Sequence, residues 1–206
     1  MARYRRFLAR QQQEASYRYC DRTFNFNFST FFGLPRCDIF VFGRGGLKCD
    51  FVGVQEICDC VRRLRPTLVV LELGTNDIAD ASVLPDQAIA RIVADGISYL
   101  HWRLKQLGVE CLTWCQVVMR RSVRGPLAAF EPRRLKLNRL IQNLARRDYS
   151  IQCFLHDRRA IVTLHESISD DDIHITEYDG FRLYHLSIRR AITQTVKQWE
   201  NKIARF

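Results

Sequence analysis

The sequence predicts an α/β fold in which a parallel β-sheet carries helices on both faces. Strand-like and helix-like segments alternate along most of the chain, which is the pattern of parallel βαβ units. Residues 68–73 form a nearly continuous apolar run, as expected of a strand that is covered on both faces. The chain has 206 residues, 47% of them hydrophobic, which suffices for one domain with a substantial core.

The individual elements follow from local signals. Residues 3–19 resemble an arginine-rich helix, and residues 23–29 alternate aromatic and polar side chains, which indicates a half-buried strand or an extended segment. We assign 1–35 to the same domain as the main body at 36–206. Turn residues then bound the further elements. These are a strand at 38–42, a glycine turn at 43–46, a helix at 50–64, a strand at 68–73, a helix at 85–107, a strand at 109–118, a helix at 131–147, a strand at 151–155 and a helix at 179–204.

Charge and cysteine content limit the class of protein. Lys and Arg number 32 against 22 Asp and Glu, a formal net charge of +10, which suits a polyanionic partner and equally an ordinary solubilising surface. The eight cysteines are scattered and lack zinc-site spacing, so we expect buried thiols in an intracellular protein, cytoplasmic or nuclear. No apolar run reaches the about 18 residues of a membrane span. We therefore expect no membrane association and no metal site.

Two short motifs carry the candidate chemistry. Gly74-Thr75-Asn76-Asp77 follows the apolar strand, and Asp171 and His174 form a D-x-x-H motif before the last helix. Together with the glycine turn that ends at Gly46, and in this order, they resemble the SGNH (GDSL-like) hydrolase family over about residues 36 to 195. The branch in transposon-associated animal proteins is similar in two further pieces. These pieces are Gly43-Arg44-Gly45-Gly46-Leu47 and Cys115-Gln116-Val117.

This resemblance implies both a fold and a reaction. The fold is a three-layer αβα arrangement with a flavodoxin-like parallel sheet, and the reaction is hydrolysis of a small acyl ester without a cofactor. His174 would be the general base and Asp171 would orient its imidazole. Asn76 and the backbone N–H of Gly46 would stabilise the oxyanion. Taken one at a time, the same residues are also ordinary turn, cap or surface-loop residues.

The sequence departs from the family at the nucleophile. The family has a Gly-Asp-Ser-like turn after its first strand, whereas Ser16 lies in a helical stretch and Ser29 stands between Phe28 and Thr30. We therefore expect a sheet without its first strand and a hydrolase that is truncated or inactive. Cys37 or Cys49 could replace the serine only as thiolates, and their spacing does not favour it. A P-loop nucleotide site is disfavoured because the glycine turn lacks the Lys-Ser/Thr pair.

The alternative is a non-catalytic binding protein on the same fold, associated with nucleic acid and derived from a transposon. Basic residues concentrate at 1–20 and 120–148, where such a patch could follow phosphates. An ordinary solvated helix face explains the same pattern. The candidate contacts in the second cluster are Arg120, Arg121, Arg133 and Arg134. The sequence does not indicate an oligomeric state.

Overall fold

A computed structural model of the chain describes residues 38–42, 46–79, 85–119, 127–156 and 179–204. The predicted segments at 3–19 and 23–29 lie outside these residues. The elements in chain order are α1 (Phe51–Leu64), β1 (Leu68–Leu71), α2 (Thr75–Ala79), α3 (Asp86–Gln106), β2 (Cys111–Cys115), α4 (Leu127–Arg147), β3 (Ile151–Phe154) and α5 (Asp179–Ile203).

The described strands form a parallel sheet in the order β1-β2-β3. Leu68 is in register with Cys111, and Leu112 with Ile151. Every residue of β2 is buried, whereas the residues of β1 are half-buried. The α/β class and the parallel pairing are thus confirmed, while β1 is shorter and more exposed than the apolar run at 68–73 predicts. Within the described sheet, β2 is the central strand and β1 lies at an edge.

Side chains of β2 alternate between two helical layers, as the pleat of a strand requires. Leu112 and Trp114 belong to a core that is shared with α1, α3 and α4. Thr113 faces the other way, and its Oγ1 lies 2.6 Å from Oγ1 of Thr195 on α5. Helices therefore cover both faces of the sheet, and the strand ends remain as the places where loops from different elements meet.

Three boundaries differ from the sequence prediction. Residues 38–42 contain a single bridge at Phe42 rather than a strand. The Gly-Thr-Asn-Asp turn opens into the short helix α2, which was not predicted. Helix α4 begins at Leu127 instead of 131, so Pro132 lies inside the helix, where it lacks an N–H for the helical ladder. The burial of Phe130, which is 1% exposed, favours the earlier start because it places that ring in the core.

Most of the described cysteines are part of the protein interior. The six cysteines within the described ranges form no disulfide, and four of them are buried, namely Cys49, Cys58, Cys111 and Cys115. Among the helices of the described segments, none combines the length and the apolarity needed to cross a membrane.

Candidate functional site

The carboxyl ends of the three strands share one edge of the sheet, and the first motif lies there. Gly74 follows β1 with a φ of +106°, and a Cβ at this position would lie 3.1 Å from Cδ2 of Leu137 on α4. Glycine therefore allows the chain to turn while the backbone passes close to a neighbouring helix. The turn leads directly into α2 and places Asn76 and Asp77 in its first turn.

Two hydrogen bonds join this turn to the loop that follows the glycine segment. Asn76 donates from Nδ2 to the carbonyl oxygen of Leu47 at 3.0 Å. Asp77 accepts from the backbone N–H of Cys49 at Oδ1, with a distance of 2.7 Å. Gly46 is exposed, has a φ of +76° and immediately precedes Leu47. The structure thus places the segments of the two predicted oxyanion donors, Gly46 and Asn76, next to each other.

Asp77 is the titratable group most affected by this arrangement. Burial raises its pKa to about 6, although the hydrogen bond from Cys49 and the charge of Lys48 act in the opposite direction. Oδ2 of Asp77 is buried and has no hydrogen-bond partner within the described part of the chain. A carboxyl group with a shifted pKa at the carboxyl edge of a parallel sheet is typical of functional sites.

The thiols at this edge are not activated. Burial raises the pKa of Cys49 well above its ordinary value, and the charge of Asp77 adds to the effect. Burial likewise raises the pKa of Cys115 well above its usual range and that of Cys153 to about 11. Because the thiolate is the nucleophilic form, a substitute nucleophile at Cys49 is not supported. Cys37 lies outside the described residues.

Arg133 and Arg134 do not form the exposed basic patch that the sequence suggested. Each is only 6% exposed. Arg133 donates from Nε to Oδ1 of Asp86 at 2.6 Å and from a terminal nitrogen to the carbonyl oxygen of Ile78 in α2 at 3.3 Å. This guanidinium group holds α2, which carries Asn76, and is therefore engaged within the protein rather than presented to phosphates.

Arg134 supports the neighbouring strand end in the same way. Its guanidinium pairs with Glu131 at 2.6 Å and donates to the carbonyl oxygen of Val117 at 3.1 Å. Asn138 accepts from the Val117 N–H at 2.9 Å and donates to the same carbonyl at 3.0 Å. Side chains of α4 thereby fix the position of the segment that follows β2. Arg120 and Arg121 lie outside the described residues.

A histidine that belongs to neither sequence motif lies at the same edge. His156 follows β3 by two residues, is 3% exposed, and has its Nδ1 2.6 Å from Oγ of Ser187 on α5. Burial lowers its pKa to about 4, so the ring is neutral at neutral pH. Its Nε2 is buried without a hydrogen-bond partner in the described ranges. In the sequence, the position of His156 directly after a predicted strand indicates that it lies at the edge where the polar residues converge.

A Ser–His–Asp grouping is present at the opposite edge of the sheet, but its hydrogen bonds stabilise a turn and do not activate the serine. Oγ of Ser150 lies 3.0 Å from Nε2 of His101, yet it donates its hydrogen to Oδ1 of Asp148 at 2.5 Å. The backbone N–H of Ser150 donates to the same carboxylate oxygen at 2.8 Å. Since a hydroxyl has one hydrogen, His101 does not act as the base for this serine in this arrangement. The cluster fixes the connection from α4 to β3.

The predicted base His174 and its partner Asp171 lie outside the described residues and stay predictions. Within the described ranges, no group of three His, Cys, Asp or Glu side chains is arranged to hold a metal ion. No protein-family model matches the chain, and no curated protein matches it.

Proposed function

We propose that the chain has the active-site framework of an SGNH (GDSL-type) ester hydrolase, in which Asn76 and Gly46 bind the oxyanion, His174 acts as the general base and Asp171 orients it. The observation that carries the proposal is the hydrogen bond from Asn76 to the carbonyl of Leu47, which holds the amide beside the glycine turn. Two motifs separated by about 30 residues of sequence thereby meet at the edge where open parallel sheets bind ligands.

The chemistry requires donors at this place. When an ester carbonyl is attacked, negative charge develops on its oxygen, and N–H groups fixed in advance stabilise that charge without reorganising. The anchoring of α2 by Asp77 and Arg133 keeps the Asn76 amide in position. The parallel order β1-β2-β3 with helices on both faces supports a flavodoxin-like sheet.

One observation favours the second candidate, a non-catalytic binding protein on the same scaffold. The described thiols at the carboxyl edge are protonated at neutral pH, and the one described hydroxyl paired with a histidine there, on Ser187, is 4% exposed. Within the described ranges this edge therefore offers no activated nucleophile that a substrate could reach.

Hydrolysis of p-nitrophenyl acetate by the full chain separates the two candidates. A hydrolase should lose about 100- to 1,000-fold in kcat in Asn76→Ala, because one oxyanion donor is removed. Loss of the base in His174→Ala should also abolish most of the turnover. The matched control is Asn201→Ala, which removes an exposed amide on α5 and should leave the rate unchanged.

Labelling with a fluorophosphonate probe, followed by peptide mass spectrometry, identifies an activated serine independently of the substrate chosen. An active hydrolase predicts one labelled serine whose labelling depends on His174, whereas a hydrolase framework without its nucleophile predicts no labelled serine. If the chain neither labels nor hydrolyses the ester faster than the Asn76→Ala variant does, it is not an active hydrolase, and the non-catalytic binding protein on the same scaffold is the better description.

A further inference from the structure

A second concave surface lies at the amino-terminal edge of the sheet, opposite the site described above. It is an open groove of about 1110 Å³. Its floor includes Glu110 and Cys111 at the start of β2, one wall is the second half of α5, and Tyr149 stands before β3 at the other side. The site proposed for ester hydrolysis uses none of these residues.

Positive charge dominates the groove. The lining contains four exposed cations, Arg189, Arg190, Lys197 and Lys202, against one carboxylate, which gives a formal charge of +3. That carboxylate, Glu110, accepts a hydrogen bond from Nε1 of Trp199 at 2.8 Å. From 189 to 202 the helix advances about 20 Å, which equals the rise of about six phosphates of one stacked DNA strand.

An aromatic ring accompanies the charges. Tyr149 is 90% exposed, so its ring contributes almost nothing to the core and presents its faces to the solvent beside the groove. Arg146 and Arg147, both exposed at the end of α4, precede it in the chain. Several cations near an exposed aromatic ring are the combination by which proteins hold single-stranded nucleic acid, with phosphates on the cations and a base on the ring.

We propose that this groove binds single-stranded nucleic acid. The phosphates contact Arg189, Lys197 and Lys202, and one base stacks on Tyr149. A single strand fits better than a duplex because bases paired inside a duplex are not available for stacking on a side chain. An acidic peptide would pair with the cations, but it carries no base that would stack on the tyrosine ring.

The test measures binding of fluorescein-labelled (dT)20 and (rU)20 to the full chain by fluorescence anisotropy at 50 mM NaCl. The triple variant Arg189→Gln, Lys197→Gln, Lys202→Gln should bind at least about 20-fold more weakly. The control removes three exposed cations from other surfaces, Arg63→Gln, Arg91→Gln and Arg139→Gln, and so has the same net charge. It should change the affinity less than about threefold. Equal losses in the two variants would show that net charge alone attracts the oligonucleotide and would overturn the proposal.

The salt dependence and the tyrosine give independent readouts. Three phosphate contacts predict a slope of about −2 for log K against log salt concentration, and the triple variant should lose nearly all of that slope. Tyr149→Ala should weaken binding about 5- to 150-fold, whereas Tyr149→Phe, which keeps the ring, should bind like the original chain. Absence of oligonucleotide binding contradicts the proposal. So does polyglutamate binding that matches the oligonucleotide affinity while Tyr149→Ala has no effect.

Discussion

Asp77 is a carboxyl group that the fold holds in an unfavourable environment. Its pKa of about 6, against an ordinary value of 3.8, means that the folded protein binds more protons than the unfolded chain between about pH 4 and pH 6. Stability is therefore lost as the pH rises through this window, and the ionised group destabilises the fold at neutral pH. A destabilising carboxyl group beside Asn76 is consistent with a functional role, because active sites commonly sacrifice stability.

We predict that Asp77→Asn stabilises the protein at pH 7.5 by about 1–2 kcal/mol and changes nothing at pH 3.5. The amide keeps an oxygen that accepts from the Cys49 N–H and removes the charge. Urea unfolding at both pH values measures the effect. Asp95→Asn, at an exposed position on α3, is the control and should have little effect at either pH. An equal change at both pH values would show that the charge of Asp77 is not the cause.

Residues whose role depends on distant partners were the hardest to predict. Asn76 and Gly46 were identified from their motifs, but their proximity depends on a contact across 29 residues of sequence. Arg133 resembles a surface residue in the sequence, because its burial depends on Asp86, 47 residues away. His156 belongs to no sequence motif, and only its position directly after a buried strand indicates that it lies at this edge.

The turn after β1 is the element on which the proposed site depends. Gly74 combines a positive φ with a close approach to Leu137, so an alanine there would suffer both backbone strain and a side-chain contact. Gly108, in the connection from α3 to β2, also has a positive φ of +87°, but a Cβ there would meet nothing within 4 Å. Comparing alanine substitutions at the two glycines therefore separates the cost of backbone strain from the cost of the contact with Leu137.

We predict that Gly74→Ala lowers the free energy of unfolding by about 2–4 kcal/mol, and that Gly108→Ala lowers it by about 1–2 kcal/mol. Urea titrations with matched slopes give both values. Adding Leu137→Val to Gly74→Ala should recover part of the loss, since a shorter side chain makes room for the new methyl group. Indistinguishable losses for the two glycines would mean that the contact with Leu137 contributes nothing.

Most elements were predictable because their signals are local. The helices α1, α3 and α5 and the strands β2 and β3 carry their periodicity or apolar runs within a few residues. The short helix α2 was not predicted because Gly-Thr-Asn-Asp is as typical of a turn as of a helix start. The partial exposure of β1 was not predictable from its sequence. An apolar run indicates that a strand is buried, but it does not indicate whether a neighbouring strand covers each of its edges.

At the scale of the whole molecule, acid should act on the fold through the buried His156 and the partly buried His185. Burial lowers the pKa of His156 to about 4, and burial together with the charge of Arg189 lowers that of His185 to about 4. The unfolded chain, with an ordinary histidine pKa of about 6.5, then binds more protons between pH 4 and pH 6.5. Stability therefore falls as the pH decreases through this window. Each added proton also increases a net charge that is already +10.

We predict that His156 alone accounts for a loss of up to about 3 kcal/mol between pH 7 and pH 4. In His156→Asn, whose amide can still reach Ser187, urea unfolding should show a shallower decline over that range. Repeating both series in 0.5 M NaCl separates the two causes. Salt screens repulsion among surface charges, but it does not relieve the burial of an imidazolium. A decline that is as steep in His156→Asn as in the original chain would show that burial of this histidine does not limit stability in acid. A decline that disappears in salt for both would assign the loss to surface repulsion.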